Sequence, residues 1–177
     1  MSLPDQSDIA YHMPFMEEAA SKAGIIIEIG VGTGAGSTRA FARGLKRSAA
    51  EVKMHIGVDI RPEGVEEVPD SYWHFVCGPS EAPSTAAKVN SLLEINQKAD
   101  IIFIDTIHIY EHMELELPIW ERFAGPQTLW MFHDTWMFGL GNHMTVAILD
   151  YCKAHPEWEF VDHSREAHGL GLMRWRQ

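Results

Sequence analysis

The sequence predicts an α/β chain built as a doubly wound, mainly parallel sheet. Three observations predict it: short β-branched runs alternate with longer amphipathic segments, the runs are continuously apolar, and the first closes on a cluster of glycines. Continuous Ile/Val/Phe runs are the pattern of strands covered on both faces, and regular alternation with helices implies right-handed crossovers between parallel neighbours. In such sheets ligands bind beyond the carboxyl ends of the strands, so the residues closing each run carry the functional information.

A helix over residues 12–22 precedes the first strand, GIIIEIG (24–30). A second helix is expected from Ser37 to about Val52, opened by a Ser-Thr cap and held by Phe41 and Leu45 on one face. MHIGVDI (54–60), SYWHFVCG (71–78), ADIIFIDTI (99–107) and TLWMFHDT (128–135) are the next four strands. Between and after them lie helices over 81–97, 110–123 and 142–155, with Pro118 expected to kink or end the fourth. WEFVDHS (158–164) and GLGLMRW (169–175) form a C-terminal hairpin.

With 177 residues and no linker, repeat or low-complexity tract, the chain reads as a single domain over 1–177. Fourteen basic against 25 acidic residues give a net charge of -11, which argues against a nucleic-acid or membrane-surface binder working through a bulk positive field. The N-terminus lacks the charged and apolar regions of a signal peptide, and no stretch is long and apolar enough to span a membrane. Cys77 and Cys152 form no C-x-x-C pair, so two reduced thiols and a cytoplasmic location are expected. Ten histidines are many for this length.

Strand 1 runs into Glu28, Ile29 and then Gly30, Gly32, Gly34 and Gly36, followed by Ser37 and Thr38. A glycine-rich strand-to-helix turn lets backbone N–H groups approach a ligand, and the helix N-terminus adds positive partial charge. Strand 2 ends at Asp59, placed to accept hydrogen bonds from ribose hydroxyls. The turn suits a dinucleotide, with Ala35 as a tolerated alanine, or S-adenosylmethionine, which Glu28, Gly30, Gly32 and Gly34 fit without substitution. The absence of Gly-Lys-Ser/Thr excludes a Walker A loop.

Strand 4 ends at Asp105 and strand 5 at Asp134. These strands are neighbours in a doubly wound sheet, so both acids should meet in one crevice. Two carboxylates are costly to bury without a partner, and a divalent cation is one natural partner. His108, three residues past Asp105, faces the same crevice and is a candidate base. His133 adjoins Asp134. His112, one helical turn beyond His108, is read as surface, and His163, Arg165 and His168 as surface or acceptor-pocket residues.

Together with Asp8-Ile9-x-x-His12-Met13-Pro14, IEIGVGTGAGST, GVDI, FIDTIHIYEH, FHDT and HGLGLM, this chain resembles class I S-adenosylmethionine-dependent methyltransferases over nearly its whole length. More narrowly it is similar to the compact branch containing cephalosporin-hydroxylase-like proteins and metal-dependent sugar O-methyltransferases. The resemblance implies a Rossmann-like sheet of about seven strands with a reversed C-terminal strand. It implies that Glu28 organises the glycine turn and reaches the methionine amino group, that Gly30, Gly32 and Gly34 pass close to the cofactor, and that Ser37 or Thr38 caps the helix near its carboxylate. Asp59 would bind the ribose, Ile60 pack on the adenine, and Ser80 stand at the adenine edge, where relatives carry an Asp. His12, with Tyr11, would belong to a lid.

In the metal-dependent relatives an acid after strand 4 and an acid pair after strand 5 hold magnesium. Asp105 and Asp134 carry over directly, whereas His133 replaces an acid; imidazole is a poor magnesium ligand and a better one for transition metals. The implied reaction is transfer of a methyl group from S-adenosylmethionine to a hydroxyl of a small-molecule or sugar acceptor, with Asp105, Asp134 and His133 on Mg2+ or another divalent cation and His108 and Asp105 as catalytic residues. The short chain leaves little room for a substrate cap, so acceptor recognition falls to a second subunit of a homodimer or to the N-terminal lid. An NAD-binding oxidoreductase shares the glycine turn and Asp59 but leaves the second cluster unexplained. A non-catalytic cofactor-binding helper in a biosynthetic complex is the other alternative.

Overall fold

The computed structural model describes residues 8–61, 71–139 and 143–177. The sequence also predicts a glycine-punctuated loop over 136–143, WMFGLGNH, which lies partly outside them. A 3-10 turn at Asp8–Tyr11 leads into α1 (Met13–Ala20), followed by β1 (Ile25–Ile29), α2 (Ser37–Arg47), β2 (Met54–Asp59), β3 (Trp73–Cys77), α3 (Pro83–Asn90), β4 (Ile101–Ile104), α4 (Tyr110–Glu121), β5 (Leu129–His133), α5 (His143–Ala154), β6 (Trp158–Ser164) and β7 (Leu170–Trp175). The strands form one sheet in the order β3-β2-β1-β4-β5-β7-β6. The pairs from β3 through β5 are parallel, and β7 runs antiparallel to both β5 and β6. The architecture is the expected Rossmann-like one.

All five residues of β1 are buried, as a strand covered on both faces requires. Ile25, Ile27 and Ile29 face a core with Val89 of α3, Leu117 of α4 and Ile148 of α5. Ile26 faces the other layer, with Met16 of α1 and Phe41 and Leu45 of α2. Residue alternation thus divides the helices between two faces and puts Glu28 on the α2 side. On the surface of that layer Arg43 donates from Nε to Glu17 of α1 at 2.7 Å, and Arg47 pairs with the same carboxylate.

Three helices differ from expectation. α2 ends at Arg47 because Ser48 turns extended (ψ 142°) and its hydroxyl donates to the Ala23 carbonyl at 2.6 Å, drawing the chain toward β2. α3 occupies only Pro83–Asn90. α4 continues three residues past Pro118. Pro118 and Glu114, whose carbonyl loses its N–H partner, both lie on the exposed side, where water replaces the missing bond. Among the described residues no helix is long and apolar enough to cross a membrane.

Candidate active site

The glycine turn rests on a buried carboxylate. Glu28 is 0% exposed. Its Oε1 accepts from the Ser37 hydroxyl (2.5 Å) and the Thr38 hydroxyl (2.9 Å), and its Oε2 lies 2.8 Å from Nε2 of buried His55 on β2. Both oxygens are taken by these partners, and the carboxylate lines neither cavity at the turn rather than standing open toward a ligand as expected. Ser37 is likewise corrected as a helix cap: Gly36 holds the cap position and makes no side-chain cap bond, while the Ser37 hydroxyl points down to Glu28. Pinning the first two residues of α2 to the strand beneath sets the shape of the turn.

The turn must also pass close to β4. A Cβ added at Gly30 (φ +91°) would lie 1.9 Å from the Asp105 carbonyl oxygen, so only glycine fits. Two cavities flank this contact. One, of about 500 Å³, runs from Gly30, Gly32 and Asp59 past Ile60 to Ser80 and His112. The other, of about 260 Å³, lies against Ile9, Gly32, Thr33, Gly36 and Ser37. Gly30, Gly32, Asp59 and Asp105 belong to both, which makes them two lobes of one cleft at the carboxyl ends of β1, β2 and β4. Asp59 accepts the Gly32 N–H on Oδ2 and the Arg61 N–H on Oδ1, each at 2.9 Å. Gly34 does not line the cleft; its N–H closes the turn on the Val31 carbonyl at 3.0 Å.

At the far end of the larger lobe His112 is part of the wall, correcting its assignment to the surface. Its Nε2 lies 3.0 Å from Glu116 and 3.3 Å from the Ser80 hydroxyl. Glu116, fully buried one turn further along α4, also accepts from Thr106 Oγ1 at 2.8 and 3.0 Å. Trp120 Nε1 donates to the Ser80 carbonyl at 3.0 Å and fixes the turn after β3. Hydrogen bonding to Glu116 raises the His112 pKa above its ordinary value against the opposing effect of burial.

The second cluster lies beside the cleft. His108 Nε2 is 3.3 Å from both Asp105 Oδ1 and Asp134 Oδ2, and His133 Nδ1 is 3.5 Å from Asp105 and 3.4 Å from Asp134. Burial pushes the Asp105 pKa up, but hydrogen bonds from His108 and His133 outweigh it and hold the carboxyl at about 2. Burial pulls His133 down, yet the bond and charge of Asp105 raise it overall. Burial raises Asp134 despite both imidazoles. Asp134 also occupies the left-handed region (φ 60°), which Asp tolerates better than most residues at a cost of roughly 1 kcal/mol.

Two further segments close over this cluster. His168, on the β6–β7 turn, pairs through Nδ1 with Asp8 at 2.5 Å and stands 3.5 Å from Asp134. His12, expected in the cofactor lid, is 3% exposed; it packs edge-on to His133 with ring centroids 5.6 Å apart, and its Nε2 lies 3.4 Å from the Ala167 carbonyl. It lines neither lobe, whereas Ile9 from the same segment does. His55, Glu116 and the Asp8–His168 pair were not read from the sequence. Only the His112–Glu116 spacing of four residues on a helix offered a local signal.

A family model described as a methyltransferase domain matches residues 27–135, from β1 to just beyond Asp134. No curated protein matches the sequence. Among solved structures, the chain is similar to the O-methyltransferase from Bacillus cereus in complex with SAH, with TM-score 0.68, 13% identity, and 99% of this chain and 83% of that one covered. It is similar to CalS11, a TDP-rhamnose 3'-O-methyltransferase of calicheamicin biosynthesis, with TM-score 0.64, 16% identity, and coverage of 95% and 79%. It is also similar to the MycE methyltransferase of the mycinamycin pathway in complex with Mg and SAH, with TM-score 0.63 and 17% identity. That match covers 94% of this chain but 49% of MycE, so the chain spans about half its length.

Proposed function

The chain belongs to the methyltransferase-domain family, and from that premise we propose that it transfers the methyl group of S-adenosylmethionine to a hydroxyl oxygen of a small-molecule or sugar acceptor. One observation carries this reading: Asp105 lines both lobes of the cleft and is also hydrogen-bonded to His108 of the acid–imidazole cluster. Cofactor and acceptor chemistry therefore share a wall. SAH in the Bacillus cereus and MycE structures, and Mg in the latter, support the same assignment.

In this reading the homocysteine part occupies the smaller lobe by the glycine turn, Asp59 takes the ribose hydroxyls, and Ile60 and Ser80 contact the adenine. The sulfonium C–S bond breaks as the C–O bond forms, leaving a neutral thioether, and the hydroxyl proton goes to His108. His108 Nε2 is directed at Asp105 and Asp134 and so carries hydrogen; the lone pair of the neutral ring is then on Nδ1, the atom that takes the proton. The two carboxylates stabilise the resulting imidazolium, and the remaining catalysis is positioning.

The cluster fits a divalent cation. Ligand atoms of Asp105, His108 and Asp134 lie within 4.8 Å of one another, as do those of Asp8, His133 and Asp134. His133 is buried, and its Nε2 has no hydrogen-bond partner among the described residues. Asp134 is common to both groups, and in this reading Asp105 from one and His133 from the other join it on the ion, imidazole shifting the donor set from magnesium toward first-row transition ions. A bound cation would supply Lewis-acid polarisation of the acceptor hydroxyl. A second copy of the chain would complete the acceptor site, and the two free cysteines fit a cytoplasmic protein.

Calorimetry with SAH and with NAD tests the cofactor assignment: SAH is expected to bind and NAD not, and binding of NAD alone overturns it. Transfer of labelled methyl groups to a panel of sugars and phenols tests the chemistry. His108→Ala should lower kcat about 10²–10⁴-fold while SAH binding persists, and unchanged turnover in His108→Ala and Asp105→Ala overturns their roles. Light scattering at micromolar concentration should find a dimer; a monomer removes the second copy.

A further inference from the structure

The larger lobe ends on a charged device that the methyl-transfer chemistry does not use. Glu116 is completely buried, and its contacts among the described residues are the Thr106 hydroxyl and His112 Nε2. A buried carboxylate is tolerated only with a compensating charge, and the imidazole of His112 is the contacting group able to provide one. Nε2 is spent on Glu116. The printed partners of the ring, Glu116 and Ser80, both meet Nε2, while the side chain as a whole is 10% exposed and forms part of the cleft wall. The exposed part of the ring therefore opens on the cleft.

We propose that His112, clamped by Glu116, is the purine-recognition residue of this chain and donates its Nδ1–H to a ring nitrogen of the cofactor's adenine. The inference rests on the S-adenosylmethionine reading, which places the ribose at Asp59 and the base beyond it, between Ile60 and Ser80. An imidazolium is a donor at both nitrogens, matching the acceptor nitrogens of the purine edge. Bonds to charged donors are the stronger ones, so this contact distinguishes His112 from a merely shape-filling residue. The charged and titratable groups around it are Glu116 on its own helix and Glu81 on the turn after β3, and the same cleft is also lined by Asp59, Arg61 and Asp105. The hydrogen bond to Glu116 raises the His112 pKa against burial, which favours the charged form of the ring.

The experiment is calorimetric titration with SAH at pH 6.0, 7.0, 8.0 and 9.0, on the full chain, with the melting temperature recorded for each variant. The unsubstituted protein should bind more weakly as pH rises through the His112 titration. At pH 6.0, His112→Ala should bind about ten- to a hundredfold more weakly and lose that component of the pH profile. Glu116→Gln, which keeps a hydrogen-bond acceptor but removes the charge, should move the midpoint of the profile to lower pH. A flat profile in the unsubstituted protein, or identical profiles with and without His112, overturns the proposal while leaving the cofactor assignment standing. Failure of the unsubstituted protein to bind SAH at any of these pH values overturns both.

Discussion

Glu28 accepts two hydroxyls and stands against one imidazole with no exposure to water. Glu28→Ala would strand Ser37, Thr38 and His55 in a dry interior, and a loss of about 3–5 kcal/mol in urea unfolding is expected. Glu28→Gln should cost less, because it can still accept hydrogen bonds. A loss below about 1 kcal/mol for the alanine variant would refute the pedestal role. His12 behaves differently. Burial lowers its pKa and the neighbouring His133 adds to the effect. The folded form resists the proton that the unfolded chain takes up near pH 6.5, so stability is present above that pH and falls as pH drops toward the folded value. The fall is at most about 1.4 kcal/mol per pH unit for one proton. His12→Phe should flatten that acid limb, and an unaltered slope in urea midpoints between pH 7 and 5.5 would refute the assignment. At this scale the sequence disclosed Asp59, Asp105, His108 and Asp134 because each closes or follows an apolar run. It concealed His55 and Glu116, whose partners are defined only once strand register and helix facing exist.

The strand–turn–helix unit of β1 and α2 shows the same division between what is local and what is not. Gly30 and Gly32 both have positive φ, but only Gly30 is pressed against another element. Gly30→Ala should prevent β1 and β4 from closing and abolish the cooperative thermal transition. Gly32→Ala meets nothing within 4 Å and should cost only the backbone strain, roughly 1–2 kcal/mol, with folding retained. Equal effects on circular-dichroism melting would contradict this distinction. Propensity extended α2 to Val52, since Ala49, Ala50 and Glu51 favour helix. The Ser48–Ala23 bond, made to a residue across the fold, stops it five residues earlier. In α4 the opposite occurred: of the two outcomes expected at Pro118, a kink or an end, the exposed position excludes the end, and the helix runs on to Glu121.

At the level of the whole molecule, the cleft draws on β1, β2, β4 and the turn after β3, so a ligand filling it ties together elements far apart in the chain. SAH at a hundred times its Kd should add about 2.7 kcal/mol, a rise in Tm of about 5–10 °C. No shift at saturating SAH would mean that the two lobes do not bind it. Alternating apolar runs were enough to forecast a doubly wound sheet, and resemblance implied a reversed C-terminal strand, but the position of β7 between β5 and β6 is defined only in the folded sheet. That placement has a consequence for biosynthesis. The ribosome makes β6 before β7, yet β6 joins the sheet only through β7. Until β7 emerges, the backbone edge of β5 is unpaired and Asp134 lacks its neighbour His168. The nascent chain therefore carries an open parallel sheet and an unfinished acid–imidazole corner, and this is the interval in which it is most exposed to mispairing with other chains.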